Sequence, residues 1–438
     1  MSKSDDPKRH PTRRGFLAST GGLIAVAGST LGAGAATEPA GDVMTAGQPA
    51  VDSENEKRIE PFWGAHQGGI VTRLQSHSYF ATFDLSATAA REDIVKMLRA
   101  WTAAAARLIG GQTAETLGQN PDSPSADTGE ALGLPPARLT LTFGFGPGLF
   151  VKDGKDRYGL AKQRPEAFID MPHFPGDQLA ETHTGGDLSV QACADDPQVA
   201  FHAVRQLARL AYYVADLRWT QTGFMANFGG KQTPRNLMGF KDGTNNPSIT
   251  DAAAMEKFVW AGSEAPAWMR GGSYLVVRRI RIALEHWDRM KLGFQEQTVG
   301  RHKYSGAPLG KVHEFDPANL KAVDKDSNPV IPENAHIRLA GAASNDGARI
   351  LRRPYSYNDG TNFVAERWPP WRQGMEYDAG LFFVAYQRDP RTGFIKIYDN
   401  MAKLDMMNQF ATHVGGGYFA CPGGMAPGEF IGQRLFTA

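Results

Sequence analysis

Cysteine is scarce in this chain of 438 residues, which contains only Cys193 and Cys421. Neither belongs to a CxxC pair or lies beside histidines at metal-ligand spacing, which excludes iron–sulfur clusters and structural zinc sites. The histidines also lack the His-x-x-x-His and Glu-x-x-His spacings of zinc and di-iron sites. One disulfide between the two cysteines is compatible with an oxidising compartment, and the sequence does not decide whether it forms.

An excess of charge is also absent, because 47 Lys and Arg against 46 Asp and Glu give a formal net charge of +1. No basic stripe runs through the interior of the sequence, so nucleic acid is not an expected partner and a small or neutral molecule fits better. After the N-terminal region, no run approaches the roughly 20 consecutive apolar residues needed to cross a bilayer. We therefore expect no integral membrane segment in the mature chain.

The N-terminal region combines basic residues with an uncharged, weakly apolar run that ends in small residues near position 36. This layout is typical of a signal peptide. The segment TRRGFL, with Arg13 and Arg14, resembles the twin-arginine export signal, whose pathway carries proteins that have already folded. We predict a twin-arginine signal peptide at 1–36, a flexible linker at 37–58 and a secreted or periplasmic protein. An ordinary secretory signal or a disordered tail is the alternative.

Two pairs of segments repeat at nearly the same distance along the chain. Residues 187–197 align with residues 380–390 at an offset of 193, with matching Leu, Ala and Asp-Pro. Residues 78–83 align with residues 273–278 at an offset of 195. Two independent segments with nearly one offset indicate two copies of one structural unit.

Each copy follows the order strand, helix, strands, helix, strand. Apolar residues recur three and four apart over residues 92–109, which predicts a helix, and Pro197 begins a second one. In the second copy the pattern predicts a helix over 285–297, a strand over 381–387 and a last helix over 394–414. This βαββαβ order is that of a ferredoxin-like unit.

The expected fold class is therefore α+β, with two tandem duplicated ferredoxin-like units whose antiparallel sheets pack together as in a dimeric α+β barrel. We predict an N-terminal domain at 59–222 and a C-terminal domain at 223–438 that carries the candidate site. The stretches 112–136 and 303–332 are rich in Gly, Pro, Ser and Asp. This composition predicts long loops of the kind that form functional rims.

Three segments of the second copy carry candidate chemistry. GFKDGTNNP places Asp242 in a loop whose glycines permit tight turns, although a turn capped by Asp has the same pattern. NAHIRLA has the alternation of a strand, with His336 and Arg338 on one face, although an isolated His is more often a core residue. ILRRPYSY contains the pair Arg352 and Arg353, for which a surface salt bridge is the ordinary explanation.

The motifs GFKDGTNNP, NAHIRLA, ILRRPYSY, GLFFVAYQRDP and VGGGYF occur in the order found in dye-decolorising peroxidases, and the chain resembles that family. With PFWGAHQGGI at 61–70, the resemblance extends from about residue 60 to the C-terminus. The export signal and the GAHQGGI segment are most similar to the secreted deferrochelatase/peroxidase subgroup associated with bacterial iron uptake. An Asp, a His and an Arg match the proton shuttle, axial base and cationic charge stabiliser that a haem peroxidase requires.

The resemblance implies one haem b per chain, with His336 as the iron ligand, Asp242 as the distal acid/base and Arg352 as the distal arginine. It also implies two short segments along the haem: Gly243, Thr244 and Asn245, and Gly341, Ala342 and Ala343. Pro354 departs from the family pattern, because some relatives have a polar residue there that reaches the distal pocket.

The implied function is a haem peroxidase that reduces hydrogen peroxide and oxidises dyes or other bulky aromatic donors through a ferryl intermediate. One alternative is a deferrochelatase that releases iron from intact haem. A secreted haem carrier is a second alternative, against which Asp242 and Arg352 argue, and His336 argues against a haem-free flavin-binding relative. The expected partners are hydrogen peroxide and small aromatic donors, or haem. A homo-oligomer and components of an iron-uptake system are compatible with the resemblance.

Two further assignments stay open at this level. Asp405 is a candidate partner for the Nδ1 proton of His336, with an ordinary surface carboxylate as the alternative. Several aromatic residues are candidates for electron relay to the surface, although most aromatic residues belong to cores or interfaces. They are Trp260, Trp268, Trp287, Trp368, Trp371, Tyr274, Tyr377 and Tyr386.

Overall fold

The computed structural model describes residues 57–437 with gaps at 227, 229–231 and 366–372. The predicted signal peptide at 1–36 and nearly all of the predicted linker lie outside the described residues. No helix in the described part of the chain has the length and apolar character to cross a membrane.

The first copy of the repeat is a four-stranded antiparallel sheet covered by two helices. The sheet order is β4-β1-β3-β2, the order of a ferredoxin-like unit. Its elements are β1 (His77–Leu85), α1 (Arg91–Ile109), β2 (Thr140–Phe145), β3 (Leu188–Ala194), α2 (Pro197–Leu210) and β4 (Ala215–Phe224). Asp196 caps α2, because its side chain accepts hydrogen bonds from the amides of Gln198 and Val199.

The second copy repeats this arrangement with more interruptions. A linking helix, α3 (Ala252–Phe258), precedes it. Its elements are β5 (Ser273–Ile282), α4 (Leu284–Trp287), α5 (Leu292–Val299), α6 (His336–Leu339), β6 (Leu351–Arg352), β7 (Tyr355–Ala365), β8 (Gln373–Gln387), α7 (Phe394–Leu404) and β9 (Ala411–Cys421), followed by α8 (Gln433–Phe436). The order β9-β5-β8-β7 corresponds strand for strand to the first sheet. The predicted duplication is therefore confirmed.

The two sheets join at both edges into a closed antiparallel barrel. Phe145 of β2 pairs with Ala420 of β9, and Phe224 of β4 pairs with Ser356 of β7. Inside the barrel Phe80 of the first sheet packs against Phe382 of the second, with ring centroids 5.3 Å apart. The duplicated ferredoxin-like α+β fold is thus confirmed, and the helices pack on the outer faces of the sheets.

Two predicted helices of the second copy differ from the structure. The helix expected over 285–297 is two short helices, α4 and α5, separated by a turn. The last helix ends at Leu404, because Asp405 adopts an extended backbone and its side chain caps the next turn. The rest of the predicted helix contributes to β9, where Gly415 approaches His183 so closely that an added Cβ would lie 2.5 Å from its carbonyl oxygen.

Other predictions agree with the structure or stay open. Within the described residues, 112–136 and 303–332 contain no α-helix or β-strand, as expected for long loops. Cys193 and Cys421 are both buried and unbonded to each other, so the disulfide is not formed. The boundary predicted between 222 and 223 falls near the end of β4, and the division into two domains stays a prediction.

Candidate active site

His336 is the first residue of the one-turn helix α6, so the predicted strand is wrong. Alternating apolar residues over so short a segment fit either structure, and here the amide of Ala340 donates to the carbonyl of His336 over 2.9 Å. The side chain of Arg338 donates to the carbonyls of Leu320 and Ile331. Arg338 therefore holds the preceding loop and does not share a face with His336.

Asp405 holds the imidazole of His336 in place. Its Oδ2 lies 2.7 Å from Nδ1 of His336, and only 1% of the Asp405 side chain is exposed. The contact predicted from the sequence is therefore present. Burial lowers the pKa of His336, but the buried Asp405 carboxylate outweighs this effect and the pKa stays above its ordinary value.

The other ring nitrogen of His336 is available to a ligand. Within the described residues Nε2 has no hydrogen-bond partner, and 29% of the side chain is accessible. The accessible part of the ring is therefore open to a ligand. Asp405 fixes the proton on Nδ1, which leaves the lone pair on Nε2.

Asp242 and Arg352 lie close to each other and near His336. The Nη2 of Arg352 is 3.7 Å from Oδ1 of Asp242. Both residues act on the charge of His336, since Arg352 lowers its pKa and Asp242 raises it. The structure therefore brings together the three residues that the sequence analysis selected from three separate segments.

Asn246 connects the two segments that carry Asp242 and Arg352. Its Nδ2 donates to the carbonyl of Arg352 over 2.7 Å, and its Oδ1 accepts from the amide of Arg352 over 3.2 Å. Between Asp242 and Asn246, Gly243 has φ of +123°, a conformation that side-chain-bearing residues rarely adopt. Asn246 belongs to the GFKDGTNNP motif, but the sequence alone indicates no role for it.

The paired arginines have different surroundings. Arg353 is buried, donates from Nη1 to the carbonyl of Thr72 and donates from Nη2 to Gln75 over 3.0 Å. Arg353 thus ties β6 to the N-terminal half, whereas Arg352 faces Asp242. A surface salt bridge explains neither residue.

Sequence reasoning missed two further residues beside this site, Arg301 and Glu314. Arg301 donates to the carbonyl of Glu314 over 2.9 Å. Burial lowers the pKa of Arg301, and the positive charge of the nearby Arg352 lowers it further. The Glu314 carboxylate accepts a hydrogen bond from Thr244 over 2.9 Å. Single charged residues in a polar loop have no spacing that would distinguish them in the sequence.

The donor set of the site fits a haem. Within the described residues no three His, Cys, Asp or Glu side chains cluster at metal-binding distance. His336 thus offers a single protein ligand, which suits a metal that brings four ring nitrogens of its own. The turn after α6 is a 3-10 helix over Ala342–Ser344. An added Cβ at Gly341 would lie 2.9 Å from the carbonyl oxygen of Ile337, so this close turn requires glycine.

Most of the aromatic candidates for electron relay are core residues. Trp260, Trp268, Trp287, Tyr274 and Tyr386 are all buried. Tyr377 is 49% exposed on β8, and Trp368 and Trp371 lie outside the described residues.

The fold is a duplicated ferredoxin-like barrel, and its candidate site has one histidine with a free ring nitrogen in the described structure. Family models described as Dyp-type peroxidase, N-terminal, and Dyp-type peroxidase, C-terminal, match residues 67–225 and 233–426. The chain therefore belongs to the dye-decolorising peroxidase family of haem-binding oxidoreductases and is an enzyme of that class.

Known relatives cover almost the whole chain. A dye-decolorizing peroxidase of Thermobifida fusca (strain YX) is 37% identical over 99% of each chain. A deferrochelatase of Escherichia coli (strain K12) is 36% identical, also over 99% of each chain. The structure of ferric DtpA from Streptomyces lividans is 39% identical with a TM-score of 0.79, covering 88% of this chain and 99% of that one.

Proposed function

We propose that this protein binds one haem b through Nε2 of His336 and uses it to reduce hydrogen peroxide while oxidising dyes or other bulky aromatic donors. The observation that carries the proposal is the arrangement around His336. One ring nitrogen is held by the buried Asp405, the other has no partner in the described structure, and the charges of Asp242 and Arg352 both act on the ring. Haem bound there would supply the iron that binds peroxide and the electrons that cleave its O–O bond.

His336 and its neighbours would hold the group. The negative charge of Asp405 raises the basicity of the imidazole and keeps it in one orientation. The segments Gly243–Thr244–Asn245 and Gly341–Ala342–Ala343 would lie along the ring. Their small side chains and the left-handed backbone at Gly243 allow a flat molecule to approach the main chain closely.

Asp242 is the proposed acid/base. Its carboxylate would take the proton from one oxygen of peroxide and deliver it to the other, which then leaves as water. Asp242 suits this task because, in the described structure, its only side-chain ion pair is the 3.7 Å contact with Arg352. A carboxylate held by several short hydrogen bonds would be less able to exchange a proton.

Arg352 is the proposed charge stabiliser. A guanidinium stays protonated at any physiological pH, so it can oppose the negative charge that develops as the O–O bond breaks. The side chain of Asn246 fixes the backbone of Arg352 from two sides, which limits the positions open to the guanidinium. Preorganised charge of this kind needs no rearrangement during the reaction.

Release of iron from intact haem is the second candidate function, because a relative 36% identical over 99% of both chains is a deferrochelatase. The same pocket would have to hold the haem for this reaction. Parallel assays of free iron, metal-free porphyrin and peroxide consumption by one preparation separate the two functions.

Export by the twin-arginine route is part of the proposal. Replacing both Arg13 and Arg14 with Lys should retain the protein in the cytoplasm, whereas the unchanged precursor should reach the periplasm or medium. Cell fractionation followed by immunodetection measures the distribution. Unchanged export of the double variant would assign the N-terminus to an ordinary secretory route.

The Asp242→Asn variant tests the acid/base assignment. We expect normal haem content and a reaction with peroxide that is slower by about 10²- to 10⁴-fold, the range typical of a lost general acid/base. Stopped-flow absorbance gives this rate, with the exposed Asp346→Asn as a matched control. A wild-type rate in Asp242→Asn would move the proton transfer to another group.

The Arg352→Leu variant tests the charge stabiliser. We expect a peroxide reaction slower by about 10²-fold, because the cation acts mainly on the transition state. Arg349→Leu, at an exposed arginine three positions earlier, is the control. If both variants react at the wild-type rate, Arg352 has no catalytic role.

A further inference from the structure

Glu314 is a carboxylate in the long loop of 303–332 that reaches the segment carrying Asp242. Its side chain is only 9% exposed. The Nζ of Lys241 forms an ion pair with Oε2, and the hydroxyl of Thr244 donates to Oε1 over 2.9 Å. The two oxygens of one carboxylate therefore hold residues on both sides of Asp242 and Gly243.

The Asp242 side chain depends on this backbone for its position. Among the described contacts its carboxylate has only the 3.7 Å ion pair with Arg352, which is too long for a well-aligned hydrogen bond. Its amide donates to the carbonyl of Pro234 over 2.9 Å. The next residue is Gly243, which restricts the chain less than any other residue type. A segment of this kind needs anchors outside itself to hold an acid at one place.

Glu314 is a firm anchor because its own loop is held at several points. Arg301 donates to the carbonyls of Glu314 and Gly306 over 2.9 and 2.7 Å. The Asp316 carboxylate accepts from the amide of His313 over 2.9 Å. Burial raises the pKa of Glu314, but hydrogen bonds from Lys241, Thr233 and Thr244 outweigh it and lower the pKa, so the carboxylate is ionised at neutral pH.

We propose that Glu314 is a positioning residue for the reaction with peroxide, because its carboxylate clamps Lys241 and Thr244 and thereby fixes the carboxylate of Asp242 opposite His336. The proposal rests on the role of Asp242 proposed above. Among the described contacts Glu314 touches neither His336 nor the carboxylate of Asp242, so its effect must pass through the Asp242 segment.

Glu314→Gln is the direct test. Glutamine keeps the size of the side chain but has one acceptor oxygen, so it can satisfy Lys241 or Thr244 and presents an NH₂ group to the other. We expect the peroxide reaction to slow on the order of tenfold, since small displacements of a reacting group have effects of this size. Haem content and the apparent KM for the aromatic donor should stay at the wild-type values.

Glu296→Gln is the matched control. Glu296 accepts from the amide of Lys303 over 2.9 Å and lies 3.0 Å from Nδ1 of His302. It thus ties the same loop without touching the Asp242 segment. If both variants slow the reaction equally, Glu314 only stabilises the loop and the proposal is overturned.

A second measurement separates positioning from catalysis. Amide hydrogen exchange of residues 241–246, followed by mass spectrometry on the haem-free protein, should be faster in Glu314→Gln than in Glu296→Gln. In the Asp242→Asn background, Glu314→Gln should cause no further slowing of the peroxide reaction. Additive slowing, or unchanged exchange, would contradict the proposal. A wild-type rate in Asp242→Asn alone would instead contradict the role of Asp242.

Discussion

The two copies of the repeat each carry a long insertion at the same point of the fold, between the first helix and the next strand. In the first copy it covers residues 110–139, and in the second it covers residues 300–350. In each copy the insertion is held by the second helix or its end, through a pair of one histidine and one aspartate. The pairs are Asp127 with His202 and His336 with Asp405.

In the first copy both ring nitrogens of the histidine face carboxylates, and we call this the closed pair. His202 belongs to α2, and its Nε2 lies 3.4 Å from Asp127 while its Nδ1 lies 3.2 Å from Glu130. Its side chain is 5% exposed. Because each ring nitrogen faces a carboxylate, neither is open to a metal, and the imidazole serves to fasten the loop.

In the second copy the two residues exchange places and one ring nitrogen of the histidine has no partner in the described structure, and we call this the open pair. Here the loop supplies the histidine, and the carboxylate of Asp405 lies at the C-terminal end of α7. Among the residues that the structure describes, only Nδ1 of His336 has a partner. Asn400 of α7 supports the turn by donating to the carbonyl of Leu339 over 3.3 Å. The same arrangement thus has two outcomes. A histidine that faces two carboxylates, His202, holds a loop in place, whereas a histidine that faces one, His336, is a candidate metal ligand.

The largest expected difference between the two pairs is the effect on haem binding of replacing each histidine with alanine. His336→Ala should abolish haem binding, because it removes the one imidazole that the proposed site provides for the iron. His202→Ala should keep its haem but lose about 1–3 kcal/mol of stability, since it removes a buried partner of the carboxylates of Asp127 and Glu130. The Soret absorbance per protein measures the first effect and urea unfolding the second. Full haem occupancy in His336→Ala would remove the contrast altogether.

Asp405→Asn should have an intermediate effect. Asparagine still accepts the hydrogen bond from Nδ1 of His336, but it lacks the charge that raises the basicity of the imidazole. Loss of such a partner typically lowers metal affinity or activity by about 10- to 100-fold. Haem transfer to apomyoglobin compares the affinities, and Asp399→Asn, at an exposed aspartate of α7, is the control. Equal haem retention by the two variants would show that Asp405 acts only as a helix-end residue.

The elements that could be predicted from the sequence are those with a local pattern of residues. The offsets found between residues 78–83 and 273–278, and between 187–197 and 380–390, correspond to β1 with β5 and to β3 with β8. Buried central strands keep an apolar signature, so they are visible without the partner strand. The candidate residues Asp242, His336 and Arg352 were selectable because each lies in a distinctive motif.

The missed elements depend on tertiary contacts. Strand β7 has the polar sequence YSYNDGTNFVA and follows the turn at Arg353–Pro354, so neither its composition nor its alternation indicates a strand. The glycine run of β9 is shaped by the close approach of His183, which no local pattern records. Glu314 becomes recognisable only when the loop that carries it is seen against Lys241 and Thr244.

Replacing Glu130 should have the smallest effect of these variants, and it tests the charge of the closed pair specifically. Burial raises its pKa, but the nearby donors of Thr128, of its own backbone amide and of His202 outweigh this and lower the pKa to about 2. A carboxyl whose pKa is depressed on folding adds stability above its ordinary pKa of 4.5, and this stability is lost as the pH falls toward 2. The contribution at neutral pH is on the order of 2 kcal/mol, because solvent screens part of the interaction near the surface.

Urea unfolding of the wild-type protein and Glu130→Gln at pH 7 and at pH 3 measures this contribution. The stability difference between the two proteins should be largest at pH 7 and fall by more than half at pH 3, where the unfolded chain protonates Glu130 and the folded one largely does not. Haem content at pH 7 should be the same in both proteins, because Glu130 belongs to the copy that lacks the site. A stability difference that is the same at both pH values would mean that the carboxylate of Glu130 contributes through packing and not through its charge, and the closed pair would then differ from the open one in shape alone.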